Sequence, residues 1–265
     1  MRQKILSWLL DQYIEIVAAT HFLSVLPLPG PLQRFETSST HDAPLHLGSA
    51  YFPFVGFLLA TLLYLVYLLL SSILPPLALA AVLVVALVVL TGGLHLDGLM
   101  DTCDGLFGGR TRERRLEIMR DSRVGSFGVL SGACVLLLKF ALFASVKLYV
   151  LPLIFFLVLP STRWAMVLAL RIFPSARPSG LGATFRQTVT LPKLVFAGAT
   201  AFLLALIVGH EVGVLAWCVA TGMALLLGAW VTCLIGGLTG DIYGAIAECG
   251  EIGVLLLLVS VHSFL

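Results

Sequence analysis

The sequence predicts an all-α protein, a polytopic transmembrane bundle of about seven spans preceded by an amphipathic N-terminal helix. Three observations carry that expectation. The 265-residue chain is 59% hydrophobic and only 11% charged, whereas a soluble domain carries about a quarter charged residues. Several apolar runs of about 20 residues are each long enough to cross the hydrocarbon core. Those runs are continuous and rich in Leu and Ala rather than alternating, which argues against strands. Residues 1–265 are read as one membrane domain, with an interfacial helix and loop over 1–50 and the bundle over 51–265.

Taken in order, residues 3–26 place Ile5, Leu6, Leu9, Leu10, Ile14 and Val17 at helical spacing, with Lys4, Asp11 and Glu15 off that face. This suits a helix lying at the membrane interface or packed on the bundle. Asp11 and Glu15 interrupt the apolar run and no small-residue cleavage site follows, so no secretory signal is expected. Pro27, Pro29 and Pro31 stop the helix, and a polar loop rich in Ser, Thr and His is expected over 32–50. Spans are expected at 52–74 and 77–96, parted by Pro75-Pro76. From 108 to 125 the chain turns basic, with Arg110, Arg112, Arg114, Arg115, Arg120 and Arg123 among Glu113, Glu117 and Asp121. Leu116 and Met119 give this stretch one apolar edge, the mark of a short surface helix. Further spans are expected at 126–146, 148–170, 193–208, 212–235 and 242–262.

The basic residues then orient the bundle. One side receives Arg2, Lys4, Arg34, the six arginines of 110–123, Arg171, Arg177, Arg186 and Lys193, while the other receives only Lys147 and Lys139. The N-terminus and the loops 97–125 and 172–192 are therefore expected in the cytosol and the C-terminus outside.

The densest chemistry lies at the end of the second span, in G-G-L-H-L-D-G-L-M-D-T-C-D-G over 92–105. Asp97, Asp101 and Asp104 follow one another at offsets of four and three, so on a helix they fall within roughly 40° of one another. Three like charges on one stripe repel. A divalent cation would neutralise them, and hard cations such as Mg²⁺ take carboxylate oxygens, with phosphates and water completing the shell. The alternative is a solvated helix end. G-G-L-T-G-D over 236–241 repeats the opening G-G-L-x-x-D on the same expected face, which makes Asp241 a fourth candidate ligand whether the repeat reflects duplication or chance. His95 adjoins the motif. It is read as a general base or ligand, as a hydrogen-bond partner of a ligand, or as an ordinary interfacial histidine.

Ionisable groups inside spans cost about 2.5–3.5 kcal/mol each and usually face a cavity or a partner. Arg163 and Glu248 lie at matching depths, roughly 10 to 12 Å in from the cytosolic ends of their spans, and are expected to face each other across the bundle interior. Lys139, deeper still and past the midplane by the same count, either has a functional role or snorkels outward. The five cysteines show no CxxC or CxxH spacing and read as packed thiols. Cys103 sits within the motif, but thiolate does not suit a hard ion.

Acids beside a dense run of arginines form the arrangement that phosphoryl transfer needs. There is no G-x-x-x-x-G-K-[ST], G-x-S-x-G or H-E-x-x-H, which argues against a P-loop motor, an α/β-hydrolase elbow and a zincin. The 92–105 motif, followed by R-R-L-E-I-M-R-D-S-R-V-G-S-F-G-V over 114–129, resembles the signature of the cobalamin-5′-phosphate synthase family, also called adenosylcobinamide-GDP ribazoletransferases. F-L-S-V-L-P-L-P (22–29), Y-F-P-F-V-G (51–56), A-R-P-S-G-L-G (176–182) and G-G-L-T-G-D-I-Y-G-A (236–245) extend the resemblance over nearly the whole chain. Met100 and Cys103 stand where alanines are expected, and neither is a ligand position. The resemblance implies a bacterial inner-membrane enzyme that joins GDP-activated adenosylcobinamide to α-ribazole or its 5′-phosphate, releases GMP and requires Mg²⁺. On that reading Asp97, Asp101, Asp104 and Asp241 hold the metal. One carboxylate, or His95, serves the proton transfer. Arg110, Arg123, Arg163, Arg177, Lys139 and Glu248 are candidates for the substrate site. For Arg112, Arg114 and Arg115, orientation in the membrane or headgroup contact is the expected role. The implied partners are the two substrates and the bilayer, with no nucleic acid and with an oligomer left open. Two rivals are weighed. A CDP-alcohol phosphotransferase fits poorly because Gly98 is followed by Leu99, Met100 and Asp101 rather than by Ala-Arg two residues on. A cation-coupled transporter would place its acids near the midplane on several spans, and here most cluster at one face.

Overall fold

The computed structural model describes residues 2–29, 47–178 and 180–262. Most of the polar loop expected over 32–50, with Arg34, lies outside the described residues, as does Pro31. Most of the described chain is helical. The elements are α1 (Arg2–Leu23), α2 (Phe52–Leu70), α3 (Pro76–Thr91), α4 (Leu94–Gly108), α5 (Arg112–Ile118), α6 (Ser126–Ser145), α7 (Leu151–Ile172), α8 (Leu181–Thr188), α9 (Leu191–Ile235) and α10 (Gly240–His262). No strand occurs among the described residues, and the one isolated bridge pairs Ser175 with Leu238.

Five helices are long and apolar enough to cross a membrane, or six if α3 and α4, bent by 87°, count as one broken span. The longest, α9, is itself two helices meeting at His210, whose φ of 48° and ψ of −128° are not helical. Phe202 and Trp217, fifteen positions apart, bring their ring centroids within 5.6 Å, so the two limbs fold back side by side. They lie where the sequence predicts separate spans at 193–208 and 212–235. The expected seven is thus an approximation that depends on how the bend and this hairpin are counted.

His210 adopts a positive φ that glycine takes without a steric penalty. Replacing His210 by Gly is expected to stabilise the protein by about 1 kcal/mol, measured as a higher midpoint of thermal unfolding in detergent.

Helix α7 is the pillar of the bundle, buried along most of its length against α2, α9 and α10. Proline opens both α2 (Pro53) and α3 (Pro76), where the missing N–H costs nothing. The sequence predicts that the second span runs on to residue 96. Instead it ends at Thr91, because Gly92 and Gly93 both take left-handed backbone conformations, with φ of 61° and 70°. The pair caps α3 and starts α4 in a new direction. Helix α4, which carries the acidic motif, is therefore a separate helix.

A carboxylate secures the next element. Asp104 is buried, and its two oxygens accept from the backbone N–H groups of Gly125 and Gly128 at 2.7 and 2.8 Å, capping the start of α6. At the same end of the bundle, Leu238 donates to Pro174 and Ala176 donates to Leu238, at 2.8 and 2.9 Å. Arg112 donates to the carbonyls of Ile235 and Ala176, and Arg115 to those of Gly109 and Leu234. The loops after α4, α7 and α9 are thereby tied into one surface.

Candidate active site

That surface carries the acids. Helices α4 and α10 touch backbone to backbone: a Cβ on Gly98 would lie 2.6 Å from the Asp241 carbonyl, and one on Gly244 would lie 2.9 Å from that of His95. Only glycine allows this approach. It sets the first turn of α10, with Asp241, against the first turns of α4, with Asp97 and Asp101. Asp97, Asp241 and Asp104 all act electrostatically on Asp101, and so does Arg177. Asp97 is exposed, while Asp101 and Asp241 are half-buried. Thr239 donates to Asp241 at 3.0 Å. Among the described residues, no three His, Cys, Asp or Glu side chains are grouped so that they could hold a metal ion by themselves.

The three arginines expected to contact phosphate sit in different surroundings. Arg177 is half-buried and faces Asp241 and Asp101. Burial pulls its guanidinium below the ordinary arginine range, and the two acids oppose that shift. One of its nitrogens donates to the Leu116 carbonyl at 3.2 Å, and its Nε is buried without a partner. Arg123 is exposed and turned to Asp121, whose carboxyl its hydrogen bonds hold down to about 2. Arg110 is exposed. Arg112 and Arg115, expected only to orient the chain or meet headgroups, instead tie loops together.

Behind the acids, α4, α7 and α10 enclose a cavity of about 120 Å³. Asp97 and Asp241 stand on its wall with His95 and Tyr243. His95 is 1% exposed, and neither of its ring nitrogens has a hydrogen-bond partner.

The charges inside the spans form a cluster that does not line this cavity. Lys139 of α6 bonds both Glu248 and Glu251 of α10 at 2.6 Å, and Arg163 of α7 bonds Glu251 at 2.9 Å. All four side chains are buried. Arg163 and Glu248 do face the interior, as expected from their depths, but they are not each other's partners. Glu251 lies one turn further along the same face of α10 and takes Arg163, while Lys139 turns inward to Glu248 instead of snorkelling. Arg163, Lys139 and Glu248, expected at the substrate site, are thus held by one another and by Glu251, and Arg163 keeps two buried nitrogens without a partner. Sequence reasoning passed over Glu251, although its i, i+3 offset from Glu248 marked it.

The family described as cobalamin-5-phosphate synthase matches residues 15–259. The adenosylcobinamide-GDP ribazoletransferase of Desulfitobacterium hafniense (strain Y51) is 43% identical over 90% of this chain and 93% of its own. Those of Roseiflexus sp. (strain RS-1) and Citrobacter koseri (strain ATCC BAA-895 / CDC 4225-83 / SGSC4696) are each 40% identical, over 93% and 90% of this chain and 89% and 96% of their own. No solved structure matches it.

Proposed function

Since the chain belongs to the cobalamin-5-phosphate synthase family, we propose that it is an adenosylcobinamide-GDP ribazoletransferase acting where α4 meets α10. The observation that carries this reading is the contact of Gly98 with Asp241, which gathers Asp97, Asp101 and Asp241 from two helices beside Arg177. The donors are all carboxylate oxygens and only partly enclosed. This suits Mg²⁺, which takes one or two carboxylates and leaves room for substrate phosphates. Asp97, Asp101 and Asp241 would hold it, and bound there it would neutralise and orient the diphosphate. Asp104, with both oxygens on α6 backbone groups, shapes the site by fixing α6.

The remaining roles fall to the chain's own groups. Arg177 takes phosphate oxygens and the charge that gathers on departing GMP. A ribose hydroxyl of the ribazole attacks the cobinamide-side phosphorus. A new O–P bond forms there, the bond to GMP breaks and its electron pair leaves on GMP. The hydroxyl proton passes to a carboxylate of Asp97 or Asp241. His95, its ring nitrogens open, orients that hydroxyl from the cavity wall. Because the loops that meet at this end are the arginine-rich ones, we place the site on the cytosolic face of the inner membrane and the C-terminus in the periplasm.

The test is GMP release by the purified protein from adenosylcobinamide-GDP and ribazole. Release is expected only when both substrates and Mg²⁺ are present. Release that needs no ribazole would mark a hydrolase instead.

A further inference from the structure

The cavity behind the acids has a wall that the chemistry of phosphate transfer does not use. Phe22 of α1, Phe52 of α2 and Phe185 of α8 line it together with Met166 of α7. The three rings contact one another, with centroids 4.5 to 5.9 Å apart. At the other side stand His95 and Tyr243, 1% and 5% exposed. The Tyr243 hydroxyl has no hydrogen-bond partner, and neither do the His95 nitrogens. A buried polar group left unpaired costs about 1–3 kcal/mol, so these two side chains call for a ligand that brings their partners.

That ligand must be flat and largely apolar to meet three phenylalanines, with few polar atoms and with its remainder pointing to Asp97 and Asp241. A volume of about 120 Å³ admits a fused two-ring system and excludes a corrin macrocycle. Guanine fits poorly, since its edge carries several donors and acceptors that phenylalanine and methionine would leave unsatisfied. The benzimidazole of ribazole fits: it is an apolar bicycle with one free ring nitrogen.

We infer that this cavity is the acceptor subsite, in which the aromatic wall holds the ribazole base, the Tyr243 hydroxyl donates to its free ring nitrogen, and the ribose is left at Asp97 and His95. The assignment rests on the activity proposed above. It adds that specificity for the acceptor is set by Phe22, Phe52, Phe185 and Tyr243, on elements distant from the acidic motif in sequence.

Tyr243→Phe keeps the ring and removes only an unpartnered hydroxyl, and Phe185→Leu keeps an apolar side chain, so both are expected to fold with melting temperatures close to the parent's. Ribazole binding to the purified full-length protein, by calorimetry with GDP present and absent, is expected to weaken about tenfold in Tyr243→Phe and about three- to tenfold in Phe185→Leu. GDP affinity should hold, and the KM for ribazole should rise in step while the KM for adenosylcobinamide-GDP stays fixed. Unchanged ribazole affinity and KM in both folded variants overturns the subsite, as does a parent protein that fails to bind ribazole under either condition. A fall in GDP affinity instead would assign the cavity to guanine and overturn it too. Failure of the parent to release GMP from the two substrates would reject the activity itself, whereas normal turnover with an unmoved ribazole KM would reject only this subsite.

Discussion

Replacing Asp101 or Asp241 by Asn is expected to lower GMP release by at least about a hundredfold to a thousandfold, the scale on which losing one electrostatic contact to a transition state is felt. The same change should leave the protein as stable as before, or more so. Asp101 lies among Asp97, Asp241 and Asp104, with Arg177 the cation within reach. Removing one like charge from that group relieves repulsion when no substrate is bound. Lower activity with undiminished stability is the mark of residues placed for chemistry rather than for folding. Parallel measurement of GMP release and thermal unfolding in detergent checks both halves. If each variant loses activity only in proportion to its folded fraction, these acids are structural.

The second large effect concerns stability. Glu251 faces both Lys139 and Arg163, and all three are at most 3% exposed. Glu251→Gln removes the charge that both cations meet. Breaking a buried ion pair from one side costs about 3–5 kcal/mol, because the partner remains charged and out of water. Glu248→Gln should cost less, since Lys139 keeps Glu251. The order expected in thermal unfolding is therefore parent, Glu248→Gln, then Glu251→Gln. Equal midpoints for Glu251→Gln and the parent would show that the cluster is hydrated or otherwise compensated.

How much of this was legible in the sequence depends on the range of the interactions involved. The acidic motif was legible because helix geometry alone puts residues at offsets of four and three on one stripe. The reversal within α9 was legible too, since Gly209-His210-Glu211 interrupts an apolar run at a single point. The end of α3 was not, because Gly92 and Gly93 sit among apolar residues and their effect depends on a backbone conformation that composition does not specify. Arg163 and Glu248 could be matched by depth, but depth gives no azimuth, and Glu251 one turn on was the better placed acid. The aromatic cavity was out of reach: Phe22, Phe52 and Phe185 come from three distant segments, and phenylalanine in a membrane chain is ordinarily core or lipid-facing. Arg123 marks another limit of spacing: a cation next to an acidic motif was legible, and its surface pairing with Asp121 two residues away was not.

The account turns on α4 and α10 supplying one shared site, and a double-mutant cycle on Asp101 and Asp241 tests that most directly. GMP release is measured for the parent, each Asn variant and the pair. Groups that act as a unit are strongly non-additive, so the double variant should be scarcely slower than the slower single. Rate losses that multiply would mean that the two acids work independently, and would contradict a common site for metal and diphosphate.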